Sequence, residues 1–391
     1  MFNRTEERTM NYDHIVIGAG SMGSATAYYL GKQGKRVLLI DAFTPPHNEG
    51  SHHGDTRLIR FAYGEGEKYV PFVLRAKKLW DEIARLSGMQ NFLQTGIINV
   101  GHRDDVFIQS VKHTSDKFGL PLQTMNAEQV MEKWPGISIP NDFVALYETD
   151  SGVMLTKPAI GGYLQEAFKY DVTPKFNSPV THIDVRNGKA VVTIESQEQF
   201  VADNCIVTVG AWAKTVLEKT GLTIPVQATR KTFAWFDAPE QLYSETIFPG
   251  FTFQFGQESY YGFPSIHGAG LKVGRHDQGV AVHPAEAKVP FGEVAGDKED
   301  LQQFLKGYMP QVRELKEGKT CMYAMTPDED FIIDTHPIHK EIILAAGFSG
   351  HGFKFASAVG EALSEIALNQ PTTIDLTPFL LSRFDSIQNK L

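Results

Sequence analysis

A glycine-rich loop near the start of the chain has the residue types of a dinucleotide-binding turn. The segment GAGSMG at 18–23 supplies three glycines at the spacing GxGxxG. Gly18 permits a tight turn, Gly20 lets backbone amides approach a pyrophosphate, and Gly23 lets the next helix pack close to the strand. The pyrophosphate would then lie on a helix N-terminus, where free amides and the helix dipole favour negative charge.

The elements predicted around this loop agree with that chemistry. The apolar run HIVI at 14–17 predicts a buried strand before the loop, and residues 24–32 predict a helix after it. RVLLID at 36–41 predicts a second buried strand ending in Asp41, about 20 residues after the loop, where a ribose-binding acid belongs. Together these features predict a dinucleotide site and argue against a fortuitous glycine-rich turn.

A second glycine-rich turn, AGFSGHGFKF at 346–355, follows a strand-like segment near the C-terminus and enters a predicted helix. Nucleotide-type elements at both ends favour FAD over NAD, because in such flavoproteins the C-terminal segment covers the isoalloxazine. The amides of this turn could stabilise negative charge on the flavin. A cation is unfavourable in the first helical turn, so we expect Lys354 to have an anionic partner; a lysine snorkelling to water is the alternative.

Two arginines lie close together in SHHGDTRLIR at 51–60. Arg57 and Arg60 are three positions apart, so a helical turn would put both guanidiniums on one face. Such a pair could bind a carboxylate or stabilise reduced, anionic flavin; the alternative is a solvated helix face. His52 and His53 lack a matching cluster of ligands, so no metal site is predicted and a structural or flavin-side role is favoured.

The segment LKVGRH at 271–276 alternates like a strand, which places Lys272, Gly274 and His276 on one face. The glycine would leave room above a flat ring. A lysine beside the flavin could stabilise superoxide as O2 takes its first electron. The spacing alone favours the alternative, a solvent-facing lysine on an edge strand.

The chain has two cysteines, Cys205 and Cys321, which is too few for a disulfide framework and fits a reducing compartment. In CMY at 321–323, strand alternation would put Cys321 and Tyr323 on one face. A lone cysteine is usually an inert core residue, and the sequence pattern by itself places both cysteines in that class.

Composition excludes several kinds of partner. The net charge is −9 and the pI about 5.8, so the surface repels phosphate backbones and nucleic acid is not an expected partner. No run approaches the roughly 20 apolar residues that span a bilayer, and the polar start has no secretory h-region. We therefore expect a cytoplasmic protein that does not bind membranes.

The order of predicted elements gives a fold of mixed α/β and α+β class. Residues 176–200 predict a strand meander that turns at 187–188, and the aromatic-rich residues 225–274 predict antiparallel strands lining something flat. We predict a discontinuous Rossmann-like FAD-binding domain and a substrate domain with a mostly antiparallel sheet. The boundaries are 10–92, 152–226 and 322–391 for the first domain, 93–151 and 227–321 for the second, and 1–9 for a disordered tail.

Taken together, the motifs resemble the monomeric sarcosine oxidase and N-methyl-L-tryptophan oxidase family from about residue 12 to the end. The matching stretches include GAGSMG, SHHGDTR, YYGFPS, LKVGRH, TCMY, TPDEDFIID and GFSGHGFK. The resemblance implies a monomeric FAD-dependent oxidase that demethylates an N-methyl amino acid with O2 and water, giving the amino acid, formaldehyde and H2O2. A glycine or D-amino-acid type of oxidase, an NAD-linked dehydrogenase and a non-catalytic flavoprotein subunit are the alternatives.

The same resemblance implies roles for individual residues. Cys321 would carry FAD through a thioether at the flavin 8α carbon, and Lys272 would activate O2. Arg60 and Lys354 would bind the substrate carboxylate. The residues bordering substrate or flavin would be Tyr261, His276, Arg57 and His53. Further cofactor-binding residues are expected at Gly18, Gly20, Ser21, Met22, Gly23, Asp41, Ser51, Thr56, Tyr323, Gly347, Gly350, Gly352 and Lys354.

The choice of substrate depends on a few positions. Residues 230–235 and several other segments resemble the N-methyltryptophan-oxidising members more. Thr252 stands where the sarcosine-oxidising members carry methionine, and a smaller side chain would leave space for an indole. Phe61 departs from the histidine usual after the second arginine, which changes the electrostatics of this corner.

Overall fold

The computed structural model describes residues 11–286 and 289–384, so the predicted tail at 1–9 and the chain end after 384 lie outside the described residues. The strands of these ranges are β1 (Asn11–Ile17), β2 (Val37–Ile40), β3 (Thr56–Ile59), β4 (Phe92–Leu93), β5 (Ile97–His102), β6 (Gln123–Asn126), β7 (Phe143–Glu148), β8 (Gly152–Leu155), β9 (Val172–Lys175), β10 (Val180–Arg186), β11 (Lys189–Ile194), β12 (Gln199–Val207), β13 (Gln227–Phe236), β14 (Gly250–Phe255), β15 (Glu258–Phe263), β16 (Leu271–Arg275), β17 (Val280–Ala281), β18 (Leu315–Met325), β19 (Ile332–Thr335) and β20 (Ile342–Ala346). The helices are α1 (Ser21–Lys32), α2 (Tyr69–Ser87), α3 (Val106–Phe118), α4 (Ala127–Lys133), α5 (Thr156–Ala167), α6 (Ala213–Glu218), α7 (Glu240–Tyr243), α8 (Glu299–Tyr308) and α9 (Ala356–Ala367).

An eight-stranded mixed sheet forms the predicted nucleotide-binding half. Its main path is β10-β11-β12-β1-β2-β9, with β20 beside the second half of β12 and β19 next to β20. The strands β12, β1, β2, β9 and β20 pair in parallel, whereas β10, β11 and the start of β12 form the predicted antiparallel meander. β2 is buried along its whole length, as expected for a parallel strand covered on both faces. The Rossmann-like prediction is confirmed.

Helices α1 and α9 place the two glycine-rich turns next to each other. α1 follows β1 and begins at Ser21, three residues before the predicted start, while α9 follows β20 through a short 3-10 turn at Phe353–Phe355. The two helices approach closely at Gly360, where an added Cβ would lie 2.4 Å from the Cβ of Ala25. The fold therefore brings the two glycine-rich turns, which are more than 300 residues apart in sequence, to one site.

A nine-stranded sheet forms the second half and is antiparallel except where β14 pairs with β5 among the described strands. Its path is β17-β13-β16-β15-β14-β5-β7-β6, with β18 on the other side of β13. Phenylalanines on β14 and helix α8 fill the core behind it. The predicted mostly antiparallel sheet is confirmed, and we keep the two-domain division as a proposal.

Candidate active site

The loop between β1 and α1 opens onto a cavity of about 410 Å³, which we call the outer cavity. Its lining comes from six separated stretches of the chain, including Gly18, Gly20, Ser21, Met22, Asp41, Ser51, His52, Arg57, Tyr323, Gly350 and Gly352. The fold thus gathers most of the predicted cofactor-binding residues around one space.

The glycines of the first loop are required by close backbone contacts. Gly18 has φ +96°, and an added Cβ would lie 2.6 Å from the carbonyl oxygen of Thr208. A Cβ on Gly23 would lie 1.7 Å from the carbonyl oxygen of Gly18. α1 begins after Gly20 with no side-chain cap from the described residues, so its first amides face the outer cavity uncapped. This cradle fits the pyrophosphate of a dinucleotide.

Asp41 lies at the end of β2, as predicted, and its carboxylate ties the loop to that strand. One oxygen accepts the amide of Ala19 at 2.6 Å, and the other accepts the amide of Phe43 at 2.8 Å. His47 Nε2 lies 3.2 Å from the second oxygen. The carboxylate lines the outer cavity with acceptor capacity left over, so binding of a ribose stays a prediction.

His52 presents a buried polar atom to the same cavity. The side chain is 6% exposed, and its Nε2 has no hydrogen-bond partner within the described ranges. Burial, together with the neighbouring His47, lowers the pKa of His52 to about 3, so the ring is neutral. An orphaned buried nitrogen at the edge of the cavity fits a cofactor that supplies the missing partner.

A smaller cavity of about 80 Å³, the inner cavity, adjoins the outer one and shares Arg57, Tyr323, Gly350 and Phe353 with it. Its other lining side chains include most of the predicted substrate-binding residues, namely Arg60, Thr252, Tyr261, His276 and Lys354. The structure thus brings these residues together where the two cavities meet. His53 and Cys321 line neither cavity; the ring of His53 packs edge-on against Phe233 at 5.8 Å.

Strand register explains how one sheet face carries this chemistry. Cys321 on β18 lies opposite Lys231 on β13, and Phe233, two residues on, lies opposite Gly274 on β16. Gly274 lies opposite Tyr261, which in turn lies opposite Thr252 on β14. Directly opposed residues share a face, so the predicted common face of Lys272, Gly274 and His276 extends over five strands.

The helical turn predicted for the two arginines is wrong. Thr56–Ile59 form β3, which pairs with β8, and two β-branched residues favour this extended backbone. Arg57 turns back onto its own loop and donates to the carbonyls of Ser51, His53 and Thr56. Arg60 leaves the strand end and enters the inner cavity. The two guanidiniums therefore reach the site by different routes.

Arg60 is paired on one side and unpaired on the other. Its Nη2 lies 2.5 Å from the Glu65 carboxylate, whereas the buried Nη1 has no partner among the described residues. Burial raises the pKa of Glu65, but the charge of Arg60, helped by His351 and Lys354, outweighs it and lowers the pKa to about 2. Sequence reasoning missed Glu65; its only signal is an acid in a glycine-flanked turn after the arginine.

Lys354 is buried in the same cavity, where two neutral protein groups accept its hydrogen bonds. Its Nζ donates to the hydroxyl of Tyr63 at 3.1 Å and to the carbonyl of His351 at 2.8 Å, and no carboxylate pairs with it among the described residues. Burial, followed by repulsion from Arg60, lowers the pKa of Lys354 to about 7, against the attraction of Glu65. The solvated alternative is wrong because Lys354 is 5% exposed, and the expected anionic partner stays a prediction that a bound carboxylate would fulfil.

Lys272 is 2% exposed, so the solvent-facing alternative is wrong. Its Nζ donates to the carbonyl of Gly54 at 2.5 Å and to the hydroxyl of Thr56 at 3.1 Å. Rings of Phe233, Trp235 and Phe263 surround it with centroids at 4.6, 5.1 and 4.6 Å. Burial and the nearby Arg57 hold the pKa of Lys272 well below its usual value.

The two cysteines differ in their surroundings. Cys205 is fully buried in the core of the first sheet, where burial raises the pKa of its thiol to about 12. Cys321 is also buried, but it packs in one cluster with Tyr323 on the sheet face that carries Gly274 and Thr252. Gly350 packs directly against the ring of Tyr323, since a Cβ added to Gly350 would lie 2.1 Å from that ring. Gly347 at φ +63° turns the chain after β20, and Gly352 packs under Phe348.

The fold and the two cavities define a dinucleotide-binding protein with a buried cationic pocket beside the dinucleotide. The chain belongs to the FAD-dependent oxidoreductase family, whose model matches residues 13–366. The NAD-linked alternative is thereby set aside. None of the described helices has the length and apolar character to cross a membrane.

Two relatives are N-methyl-L-tryptophan oxidases, from Escherichia coli (strain K12) and from Shigella flexneri serotype 5b (strain 8401). Each is 44% identical over 378 residues, which cover 96% of this chain and 100% of the relative. Solved structures with the same fold include NikD, an amino acid oxidase of nikkomycin biosynthesis, at a TM-score of 0.84, 19% identity and coverage of 95% and 98%. Glycine oxidase from Geobacillus kaustophilus has a TM-score of 0.80, 19% identity and coverage of 96% and 99%.

Proposed function

We propose that this protein is an oxidase that demethylates an N-methyl amino acid, with N-methyl-L-tryptophan as the favoured substrate over sarcosine. The amine, O2 and water give the free amino acid, formaldehyde and H2O2. The observation that carries the proposal is the buried Nη1 of Arg60, which has no partner among the described residues, on a side chain that lines the inner cavity together with Lys354. Two cations without a full set of acceptors form a receptor for one carboxylate. We also propose that the enzyme acts in the cytoplasm as a monomer.

The chain's own residues orient the substrate. Arg60 and Lys354 bind the carboxylate. This fixes the position of the methylated nitrogen relative to the sheet face that carries Lys272 and Gly274, which is the proposed catalytic face. Tyr261, His276 and Tyr323 border the remaining space. Burial, followed by the charge of Lys231, lowers the pKa of His276 to about 4, so the ring is neutral at pH 7 and does not repel an amine cation.

FAD supplies the two-electron redox chemistry when it is bound. Gly18, Gly20 and Gly23 would hold its pyrophosphate on the first amides of α1, and Asp41 would bind the ribose. The turn around Gly350 would lie against the flavin. Cys321 would form the covalent thioether, which agrees with its place on the catalytic face.

A bleaching experiment tests the proposal. Purified holoenzyme under nitrogen is mixed with N-methyl-L-tryptophan, sarcosine, glycine or a D-amino acid, and the flavin absorbance near 450 nm is followed. We expect N-methyl-L-tryptophan to bleach the flavin fastest, with formaldehyde released in step. Bleaching by glycine or the D-amino acid alone would favour the other type of oxidase, and no bleaching by any amine would contradict an oxidase.

The covalent link has its own test. Acid precipitation of the wild-type protein should leave the yellow colour in the pellet, because a thioether survives unfolding. In Cys321→Ser the colour should pass into the supernatant, while Cys205→Ser should behave as the wild type. Colour in the wild-type supernatant would show that Cys321 is not a flavin anchor.

The pKa of Lys354 gives a pH dependence with a defined sign. The charged form binds a carboxylate, and burial lowers its pKa to about 7, so binding of indole-3-acetate should be strong below pH 7 and weaken as pH rises above it. The Kd should rise by up to about tenfold per pH unit until the pKa of the liganded lysine is reached. His276 and His351, with pKa values lowered by burial to about 4 and 3, stay neutral between pH 6 and 9.

Calorimetric titration between pH 6 and 9 measures this dependence. Lys354→Arg keeps a charge throughout and should flatten the profile, while Lys354→Met should give weak binding with little dependence on pH. An unchanged profile in Lys354→Arg would assign the pH dependence to another group.

A further inference from the structure

A buried carboxylate outside both cavities is bonded to the chain segment that carries Arg60. Glu148, the last residue of β7, is 2% exposed and forms no ion pair within the described part of the chain. Its Oε2 accepts the amides of Phe61 at 2.8 Å and Ala62 at 3.0 Å, together with the hydroxyl of Ser151 at 2.7 Å. Two of these donors belong to the backbone immediately after Arg60.

The other carboxylate oxygen of Glu148, Oε1, is connected through hydrogen bonds to the wall of the inner cavity. Asn99 is fully buried and donates its amide Nδ2 to Glu148 Oε1 at 2.9 Å. Its Oδ1 accepts the hydroxyl of Thr252 at 2.8 Å. Thr252 lines the inner cavity and lies directly opposite Asn99 where β14 pairs with β5. A continuous buried chain of hydrogen bonds thus joins one wall of the cavity to the segment that carries the arginine.

In this series of hydrogen bonds, the identity of the donor and of the acceptor is fixed at every step. Backbone amides can only donate, so the Glu148 carboxylate must accept on the side of Phe61. Asn99 then presents its NH2 group to the carboxylate, which leaves only its oxygen for Thr252. A buried acid that forms no direct ion pair is costly to the fold even though Glu148 attracts the charge of Arg60, and an apolar side chain of similar volume would serve packing better. The arrangement therefore fits a need to hold particular groups in place.

We propose that Glu148 and Asn99 are positioning residues that couple the Thr252 wall to the carboxylate-binding Arg60. Glu148 holds the backbone at Phe61 and Ala62 and so fixes the direction in which Arg60 enters the cavity. Asn99 ties that anchor to the wall that borders the substrate side chain. Recognition of the side chain and of the carboxylate is then one linked event, and this inference rests on the proposed function.

Binding of non-reacting probes tests the coupling without turnover. Indole-3-acetate carries a carboxylate and indole does not, and calorimetry gives the Kd of each for the holoenzyme. Thr252→Val keeps the shape but leaves Asn99 Oδ1 unpaired, so we expect indole-3-acetate to bind about three- to tenfold more weakly. Indole should change by less than about twofold. Thr252→Ser keeps the hydroxyl and should recover most of the affinity for indole-3-acetate that Thr252→Val loses, whereas the control Thr193→Val in the other sheet should leave both Kd values unchanged.

A polarity swap makes a sharper test. Asn99→Asp alone puts two carboxylates in contact and should weaken indole-3-acetate by at least about tenfold. The double variant Asn99→Asp with Glu148→Gln restores every donor and acceptor, with the acid moved by one position. It should recover affinity for indole-3-acetate to within about threefold of the wild type.

The outcomes separate the possibilities. Equal weakening of both probes in Thr252→Val, or no recovery in the folded double variant, would overturn the coupling. If Asn99→Asp does not fold, the comparison of Thr252→Val with Thr252→Ser still decides the question. Failure of the bleaching panel would contradict the proposed function but would leave this binding comparison valid.

Discussion

Lys272→Met is expected to slow reoxidation of the reduced flavin by O2 about 10²–10³-fold, the range found when one buried electrostatic donor is removed from an active site. Reduction by the amine should change by no more than about threefold, because Lys272 does not line the inner cavity. The effect on reoxidation is large because three aromatic rings surround the Lys272 amine and give it a low-dielectric environment. A cation there strongly stabilises the charge that O2 gains with its first electron.

The depressed pKa of Lys272 belongs to the same argument. Burial disfavours the ammonium in the resting protein, so the positive charge is fully favoured only when negative charge forms beside it. Lys272 also lines a separate cavity of about 330 Å³ with Trp235 and Phe263. Phe263 lies between the two spaces because it lines this cavity and the inner cavity, whereas Lys272 and Trp235 line only this one of the two.

Stopped-flow mixing separates the two half-reactions. Enzyme reduced with dithionite is mixed with O2 in one experiment, and oxidised enzyme is mixed with substrate under nitrogen in the other. Lys319→Met is the matched control, because Lys319 lies 4.9 Å from the Trp235 ring but is partly exposed and paired with Glu317. Equal slowing of both half-reactions by Lys272→Met would assign the lysine to general integrity of the site.

The nucleotide-binding half could be predicted because its signals are local. A buried strand, three glycines at fixed spacing and a following helix occupy residues 14–32, and the backbone contacts of Gly18 and Gly23 explain why glycine is needed. The antiparallel second sheet was also predictable from alternation and aromatic density. In both cases the secondary structure follows from the periodicity of residues that are close together in the sequence.

The candidate site was less predictable because distant segments create it. The burial of Lys272 depends on rings from β13 and β15, so its own strand pattern pointed to solvent. The extended backbone at Arg57 depends on β8, which follows almost a hundred residues later. Glu65 and Glu148 have no motif of their own, and only the fold shows that both carboxylates act on the segment around Arg60.

Arg60→Met should have the second large effect, a loss of about 2–5 kcal/mol in binding of the substrate carboxylate, which corresponds to roughly 30- to 4,000-fold in kcat/KM. The variant removes the unpaired Nη1 donor and also leaves the Glu65 carboxylate without its 2.5 Å partner. N-methyltryptamine, which lacks the carboxylate, should be oxidised by variant and wild type at rates within about fivefold. Steady-state kinetics with both amines measure this difference.

Companion variants separate the two consequences of losing Arg60. Glu65→Gln should tighten binding of the amino acid, because the substrate carboxylate then no longer competes with an internal carboxylate for the same guanidinium. Arg75→Met removes a partly exposed arginine that pairs with Glu361 at the α2–α9 contact, and it should leave both amines unaffected. If Arg60→Met slowed both amines equally, the arginine would serve the geometry of the cavity. A selective loss for the amino acid would identify Arg60 as the carboxylate receptor.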